Sequence, residues 1–362
     1  MVSDSLKSRI LDRVHSQALV PDDEFSELTL ELLSQQRTSN PFLDRFYSQV
    51  SSSNLRDWRS IPGLPTSAFK RTVIRSFPED KTLTYFQTSG TTELESGRHF
   101  FETLEFYEAA ILPNFKTHLL PDQGRLPMLI LTPPPEEAPH SSLVHMMNVV
   151  LREYGTDKSD YFLRGNRLQV DDLLAQIHAH SDAGQPMLLL GTAFAFVYLL
   201  DALAEKQMQL SLSPGSRIME TGGFKGRTRE IARDEFYLQL NLALGVPMHH
   251  IVNEYGMTEL SSQFYDISLV QRSASSHKTM PSWARVVCVD PLASLPVPDG
   301  APGMIRIFDL ANIGSCCVLQ TEDVGVVHGE TFEVRGRVAT ASPRGCSLTV
   351  EDAQRLHALK SS

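Results

Sequence analysis

Long apolar runs are missing from this chain of 362 residues. The longest, residues 187–200, is interrupted by Gly191 and Thr192 and closed by Asp201, too short to cross a bilayer. No basic segment followed by an apolar stretch opens the sequence, so a secretory leader is not expected. Cysteine is scarce. The four residues Cys288, Cys316, Cys317 and Cys346 show no Cys-x-x-Cys spacing and no disulfide-scaffold density, which points to a reducing cytoplasm. Positive charge is also in deficit, with 33 Lys and Arg against 43 Asp and Glu for a net charge of −10. Nonspecific nucleic-acid binding needs a basic surface, and this chain lacks the charge for one. Internal repeats and low-complexity tracts are absent too.

What is there is enough length for two or three domains or one large α/β unit. Residues 1–80 read as helical and connecting material, a segment packed on the main domain. Leu6, Ile10, Leu11 and Val14 share one helical face, and Pro21, Asp22, Asp23 and Glu24 open a second helix. Residues 81–263 read as an α/β core. Strand-like runs at 127–131, 186–190, 216–220 and 250–253 alternate with amphipathic stretches at 141–154, 170–180, 193–207 and 228–243. That alternation marks a largely parallel sheet layer. Residues 264–362 read as a β-rich C-terminal region. Its runs lie at 264–268, 285–289, 304–308, 317–320, 324–327, 332–334 and 347–350, before a short helical tail near 350–360.

The most distinctive segment is Thr88-Ser89-Gly90-Thr91-Thr92, continued to Gly97-Arg98. Small hydroxyl residues and glycine let amides and hydroxyls approach a polyphosphate, and an arginine can neutralise it. No Gly-Lys-Ser/Thr follows, so it is not a Walker loop, and by composition alone a solvated loop reads equally well. Two strand-like runs end in further glycine-bearing turns: Thr221-Gly222-Gly223 with Lys225 and Arg227, and Glu254-Tyr255-Gly256-Met257-Thr258-Glu259. Ligands of open α/β sheets sit beyond the carboxyl ends of the strands. There Tyr255 offers a stacking face, Thr258 a phosphate contact and Glu259 a magnesium ligand. Either turn alone reads as a plain strand-to-helix connection; their order is the informative part.

With Thr321-Glu322-Asp323 and Gly336-Arg337 downstream, this series resembles the signatures of the adenylate-forming superfamily of acyl-CoA synthetases, adenylation domains and luciferases. The run Thr221-Gly222-Gly223-Phe224-Lys225-Gly226 and the setting Arg344-Gly345-Cys346-Ser347-Leu348 resemble the LuxE-type acyl-protein synthetases, with phenylacetate-CoA ligases next nearest. The resemblance covers roughly residues 85–350. It implies the large-domain fold of adenylate-forming enzymes followed by a β-rich region. It implies that ATP and Mg2+ activate a carboxylic acid, a fatty acid in this family, to an acyl-adenylate. Ser89, Thr91 and Thr92, with Thr88 and Gly90, would hold the β- and γ-phosphates. Gly222 and Gly223 would lie along adenine and the acyl pocket, and Tyr255, beside Glu254 and Gly256, would stack on adenine. Thr258 would meet the α-phosphate, Glu259 would bind magnesium, and Asp323 with Arg337 would hold the ribose.

Departures from the pattern are specific. Glu93-Leu94-Glu95-Ser96-Gly97-Arg98 replaces the usual Gly-x-Pro-Lys, so Arg98 takes the lysine's place, and Glu322 stands where glycine is usual. The mobile C-terminal domain of the larger enzymes is expected to be absent or truncated, leaving Lys225 and Arg227 as candidates for its catalytic lysine. The resemblance implies passage of the acyl group to Cys346, whose thiol pKa Arg344 can lower, and then to a reductase partner. A strand-filling cysteine is the plain alternative for Cys346, and Cys288, Cys316 and Cys317 read as core or strand residues. The histidines His178, His180, His249 and His250 complete no metal set. His145, less so His140, is a substrate-side candidate, and residues 191–196 can line an acyl pocket or the core. Two alternatives to the protein-thiol ligase stay open: transfer to coenzyme A or a carrier protein, and a silent nucleotide or acyl binder.

Overall fold

The computed structural model describes residues 1–49, 57–88, 96–222 and 231–337. The chain forms two compact units: Met1–Ala110 with Thr258–Ser262 and Lys278–Ser362, and Ile111–Met257 with Gln263–His277. These differ from three consecutive segments because pairing joins remote parts of the chain. In the first unit, for example, Leu64 pairs in parallel with Leu319.

The second unit is built on a six-stranded sheet. In spatial order its strands are Asp160–Tyr161, Met128–Leu131, Leu188–Thr192, Arg217–Thr221 and Ile251–Tyr255, all parallel, with Phe264–Tyr265 antiparallel at the edge. Leu129, Leu189, Ile218 and Ile251 join one core with side chains of helices Val170–Asp182, Ala193–Glu205 and Arg233–Leu244. Their strand neighbours Met128, Ile130, Leu188, Leu190, Met219 and Val252 point the other way and are equally buried. A sheet covered on both faces needs continuous apolar strands, which is why these runs do not alternate in the sequence. Thr192 pairs with Thr221, and Thr221 with Glu254, so three carboxyl ends finish in one row.

The first unit pairs helices with an antiparallel sheet ordered Lys278–Thr279, Thr331–Arg337, Val318–His328, Pro302–Asp309 and Ala284–Val289. Helix Asp4–Ser16 starts at Ser3, whose hydroxyl accepts from the Leu6 amide. It buries Leu6, Ile10 and Val14, while Leu11 stays half-exposed at the margin of the predicted face. Helix Asp22–Ser39 carries three acids in its first turn, favourable at the positive end of its dipole. From its interior the fully buried Gln36 donates to the carbonyls of Asn312 (2.8 Å) and Ile313 (3.1 Å) and accepts from the Cys317 amide (2.9 Å). One amide thus satisfies three backbone groups of the turn between two strands and ties the N-terminal helices into the unit.

Two runs expected as separate strands, 317–320 and 324–327, are one strand, Val318–His328. Thr321 and Asp323 face inward and Glu322 outward, so the polar triplet continues the pleat. The partner strand shifts register between Met304 and Arg306, and the Ile305 carbonyl accepts from the Thr321 hydroxyl at 2.9 Å.

Replacing Gln36 with Leu leaves these three backbone groups buried and unsatisfied, at about 1–3 kcal/mol for each such loss. A total loss of about 3 kcal/mol in urea unfolding is expected; a loss below about 0.5 kcal/mol would show that the amide does not hold the helix to the sheet.

Candidate active site

In the second unit the candidate site residues sit at the aligned strand ends. Gly222 follows Thr221 with φ +73°, a left-handed conformation that turns the chain out of the sheet. The Thr221 hydroxyl donates to the Glu254 carboxylate, and both residues are buried. A Cβ on Gly256 would fall 2.4 Å from Glu254 Oε1, so a larger residue there would have to displace that carboxylate from its present position. Glu254 therefore spends its side chain inside the unit. Tyr255 is half-buried, its ring 6.3 Å from that of Phe264.

Beneath these ends lies a polar group that the sequence did not announce. Buried Glu220 accepts from Tyr237 Oη (2.9 Å) and Asn253 Nδ2 (2.7 Å). Asp266, fully buried, accepts from the Asn253 amide (3.0 Å) and pairs with Arg233. Burial raises the Glu220 pKa, and the bonds from Tyr237 and Asn253 oppose it. A glutamate closing an apolar strand run was the only local signal.

The first unit holds the remaining described candidates. Thr88 and Gly97 close the base of a loop between strands Thr84–Gln87 and Arg98–Phe101. The Thr88 amide donates to Gly97 O (2.9 Å) and the Gly97 amide to Thr88 Oγ1 (2.7 Å). A Cβ at Gly97 would lie 2.7 Å from the Phe69 carbonyl, so the stem admits only glycine there. Thr88 is thus a stem residue. Arg98 is exposed, its guanidinium 5.0 Å from the centre of the Tyr85 ring.

Thr258 lies against this stem, its hydroxyl donating to Gln87 O at 3.4 Å. Glu259 beside it is buried, and burial lifts its carboxyl pKa to about 6. The positive charges of Lys70 and Arg337 reach that carboxylate and oppose the shift. Arg337 also pairs with Asp323 at 3.3 Å, the two being cross-strand partners. One unit therefore brings together Thr88, Thr258, Glu259, Asp323 and Arg337, and adds Lys70, which no motif flagged.

Ser89, Gly90, Thr91, Thr92, Gly223, Lys225, Arg227 and Cys346 lie outside the described residues. The other three cysteines are buried. Burial pushes the Cys288 thiol up to about 12 and that of Cys316 to about 11, and raises Cys317 as well, so none supplies a thiolate near neutrality. His180 and His250 hold Gln185 Oε1 (3.2 Å) and Ser216 O (2.9 Å) through Nδ1. No helix among the described residues is long and apolar enough to cross a membrane.

The family model for acyl-protein synthetase, LuxE, matches residues 43–355, most of the chain. The chain belongs to the LuxE acyl-protein synthetase family. Its class is that of an AMP-forming acid–thiol ligase. It is 25% identical over 315 residues to the long-chain-fatty-acid–luciferin-component ligase of Vibrio harveyi, covering 83% of this chain and 79% of that one. Its fold is that of the adenylate-forming enzymes. An open conformation of 2-hydroxyisobutyryl-CoA ligase, in complex with 2-HIB-AMP and CoA, matches with a TM-score of 0.64 at 14% identity, over 92% of this chain and 80% of that chain. ATP-bound MatB from Rhodopseudomonas palustris matches at 0.50 and 17% identity, over 72% of this chain. The chain spans about half of MatB, 49% of its length.

Because the folded state holds the Glu259 proton more tightly than a free glutamate, this group's contribution is complete below pH 4.5 and is lost as pH rises through about 6. Metal-free protein should lose about 2 kcal/mol of stability across that window relative to Glu259→Gln. Urea midpoints measured at pH 4.5 and 7 check this, and parallel profiles for the two proteins would contradict it.

Proposed function

We propose that this LuxE-family chain uses ATP to adenylate a long-chain fatty acid and then transfers the acyl group to the thiol of Cys346. The observation that carries the reading is the convergence in one unit of the Thr88–Gly97 loop stem, Thr258, Glu259 and the Asp323–Arg337 pair. The name of the Vibrio harveyi relative supports the acid, and the family's description as acyl-protein synthetase supports a protein acceptor.

In the first half-reaction a carboxylate oxygen bonds to the α-phosphorus and pyrophosphate leaves. The acid is already ionised at neutral pH, so the protein's task is orientation and charge stabilisation rather than proton removal. In this reading the Thr258 hydroxyl, held at the loop stem by Gln87 O, contacts the α-phosphate. Lys70 and Arg337 contribute positive charge beside Glu259. Asp323, already engaged by Arg337, offers a carboxylate to the ribose hydroxyls. Ser89, Thr91 and Thr92 complete the phosphate loop in this reading, Gly222 and Gly223 with Tyr255 border the adenine, and Lys225 or Arg227 supplies further positive charge.

The Glu259 carboxylate fits a magnesium ion. Its pKa is raised because burial removes water that the two nearby cations do not replace, and a divalent cation would reverse that shift. Bound there, Mg2+ would neutralise phosphate charge. In the second half-reaction the thiolate attacks the acyl carbon and AMP leaves, giving a thioester. A reductase-like or carrier-protein partner is the proposed recipient of the acyl group.

With radiolabelled fatty acid and ATP, the wild type should retain label after denaturation, release it to hydroxylamine, and lose it in Cys346→Ser. Label persisting in that variant would eliminate Cys346 as the acceptor. Glu259→Gln should slow acid-dependent pyrophosphate release by about 100-fold, and an unchanged rate would remove Glu259 from the chemistry.

A further inference from the structure

The segment Thr258–Ser262 is assigned to the first unit although the residues on both sides of it in sequence belong to the second. It has no strand partner of its own. Four of its backbone polar groups are instead taken up by side chains from elsewhere in the first unit. His99 Nδ1 lies 2.7 Å from the Thr258 carbonyl, and Asn312 Nδ2 donates to the Glu259 carbonyl at 2.9 Å. The amides of Ser261 and Ser262 both donate to Asp309 Oδ2 at 2.9 Å. The Ser262 hydroxyl donates to Asp309 Oδ1 (2.7 Å) and accepts from Trp283 Nε1 (2.9 Å).

The clamp is itself held. Asn312 also donates to Cys316 O (3.0 Å) and accepts from the Ser315 hydroxyl (2.7 Å), so its amide orientation is fixed. His99 sits on the strand that leaves the phosphate-loop stem and is ringed by Phe69 and Phe101, 5.6 and 4.3 Å between ring centres. A carbonyl can only accept, so Nδ1 carries the ring proton. Asp309, Asn312 and His99 are all fully buried.

We propose that His99 and Asn312 are positioning residues for adenylation: by fixing the carbonyls of Thr258 and Glu259 they hold the hydroxyl and carboxylate of these residues at the loop stem. His99 links the two parts most directly. It follows Arg98 on the strand that ends the phosphate loop, and its ring bonds the residue whose own hydroxyl bonds Gln87 on the opposite strand. The loop stem and the Thr258–Glu259 pair therefore move as one body. Catalytic groups misplaced by about 1 Å lose about 100-fold in rate, while ground-state binding of ATP, spread over many contacts, changes less. The proposal rests on the adenylation reading and is tested apart from it.

The variant His99→Phe keeps a ring between Phe69 and Phe101 and removes the donor. His99→Asn returns an N–H near the position of Nδ1. Asn312→Ser, which shortens the second donor, is the companion should His99→Phe unfold. Two measurements are made on full-length protein: hydrogen exchange of the peptide spanning 258–262 without ligands, and acid-dependent pyrophosphate release with MgATP. Expected for His99→Phe and Asn312→Ser is exchange at least about tenfold faster in that peptide. The expected kinetic change is a kcat lower by about tenfold to 100-fold with the ATP KM moved less than about threefold, and His99→Asn should recover most of the kcat. Unchanged exchange would overturn the clamp. Faster exchange with unchanged kcat would overturn its positioning role. A wild type that releases no pyrophosphate with any fatty acid would overturn the adenylation reading and the positioning role with it, while the exchange data would still decide whether the clamp exists.

Discussion

A buried backbone needs hydrogen-bond partners, and the five residues Thr258–Ser262 find several of theirs among side chains without joining a sheet. Asp309 is the central group. It accepts three hydrogen bonds from Ser261 and Ser262 and a fourth from the Ala311 amide at 3.0 Å. Burial raises its pKa while those bonds hold it down, so the carboxylate is useful only where the segment is in place. The dependence is mutual, since the Ser261 and Ser262 amides both donate to that carboxylate. Thr258 and Glu259 inherit their positions from this exchange.

The same seating explains the cost at Glu259. A carboxylate removed from water, which the charges of Lys70 and Arg337 offset only in part, destabilises the ligand-free fold. A cation that bound the ionised form would recover that energy, which is what the proposed magnesium site at Glu259 calls for. Gly97 reflects a similar compromise. The stem approaches the Phe69 backbone so closely that a methyl group is excluded, which fixes the loop base.

Much of the scaffold was legible in the sequence. Four apolar runs between amphipathic stretches became four parallel strands between helices, because a sheet buried on both faces leaves a continuous apolar trace. Thr88, Thr258, Glu259, Asp323 and Arg337 were legible as motifs and lie in one unit. Legibility failed where a partner is backbone. His99, Asn312, Asp309 and Gln36 bond carbonyls and amides, and such targets leave no mark on residue identity. Val318–His328 was divided because Thr321, Glu322 and Asp323 read as a polar break, whereas their alternation places two inward and one outward. Glu254 lies inside a ligand-like motif, and its carboxylate accepts from Thr221, a contact between strand ends that the sequence did not announce.

The central claim is that the carboxylate attacks the α-phosphorus of ATP at the seat formed by Thr258 and Glu259. Fatty acid carrying oxygen-18 in both carboxylate oxygens tests it most directly. The account predicts AMP bearing one oxygen-18 after a full turnover, since the bridging oxygen leaves with the nucleotide. Oxygen-18 in inorganic phosphate with ADP as the nucleotide product would place the attack at the γ-phosphorus and contradict it.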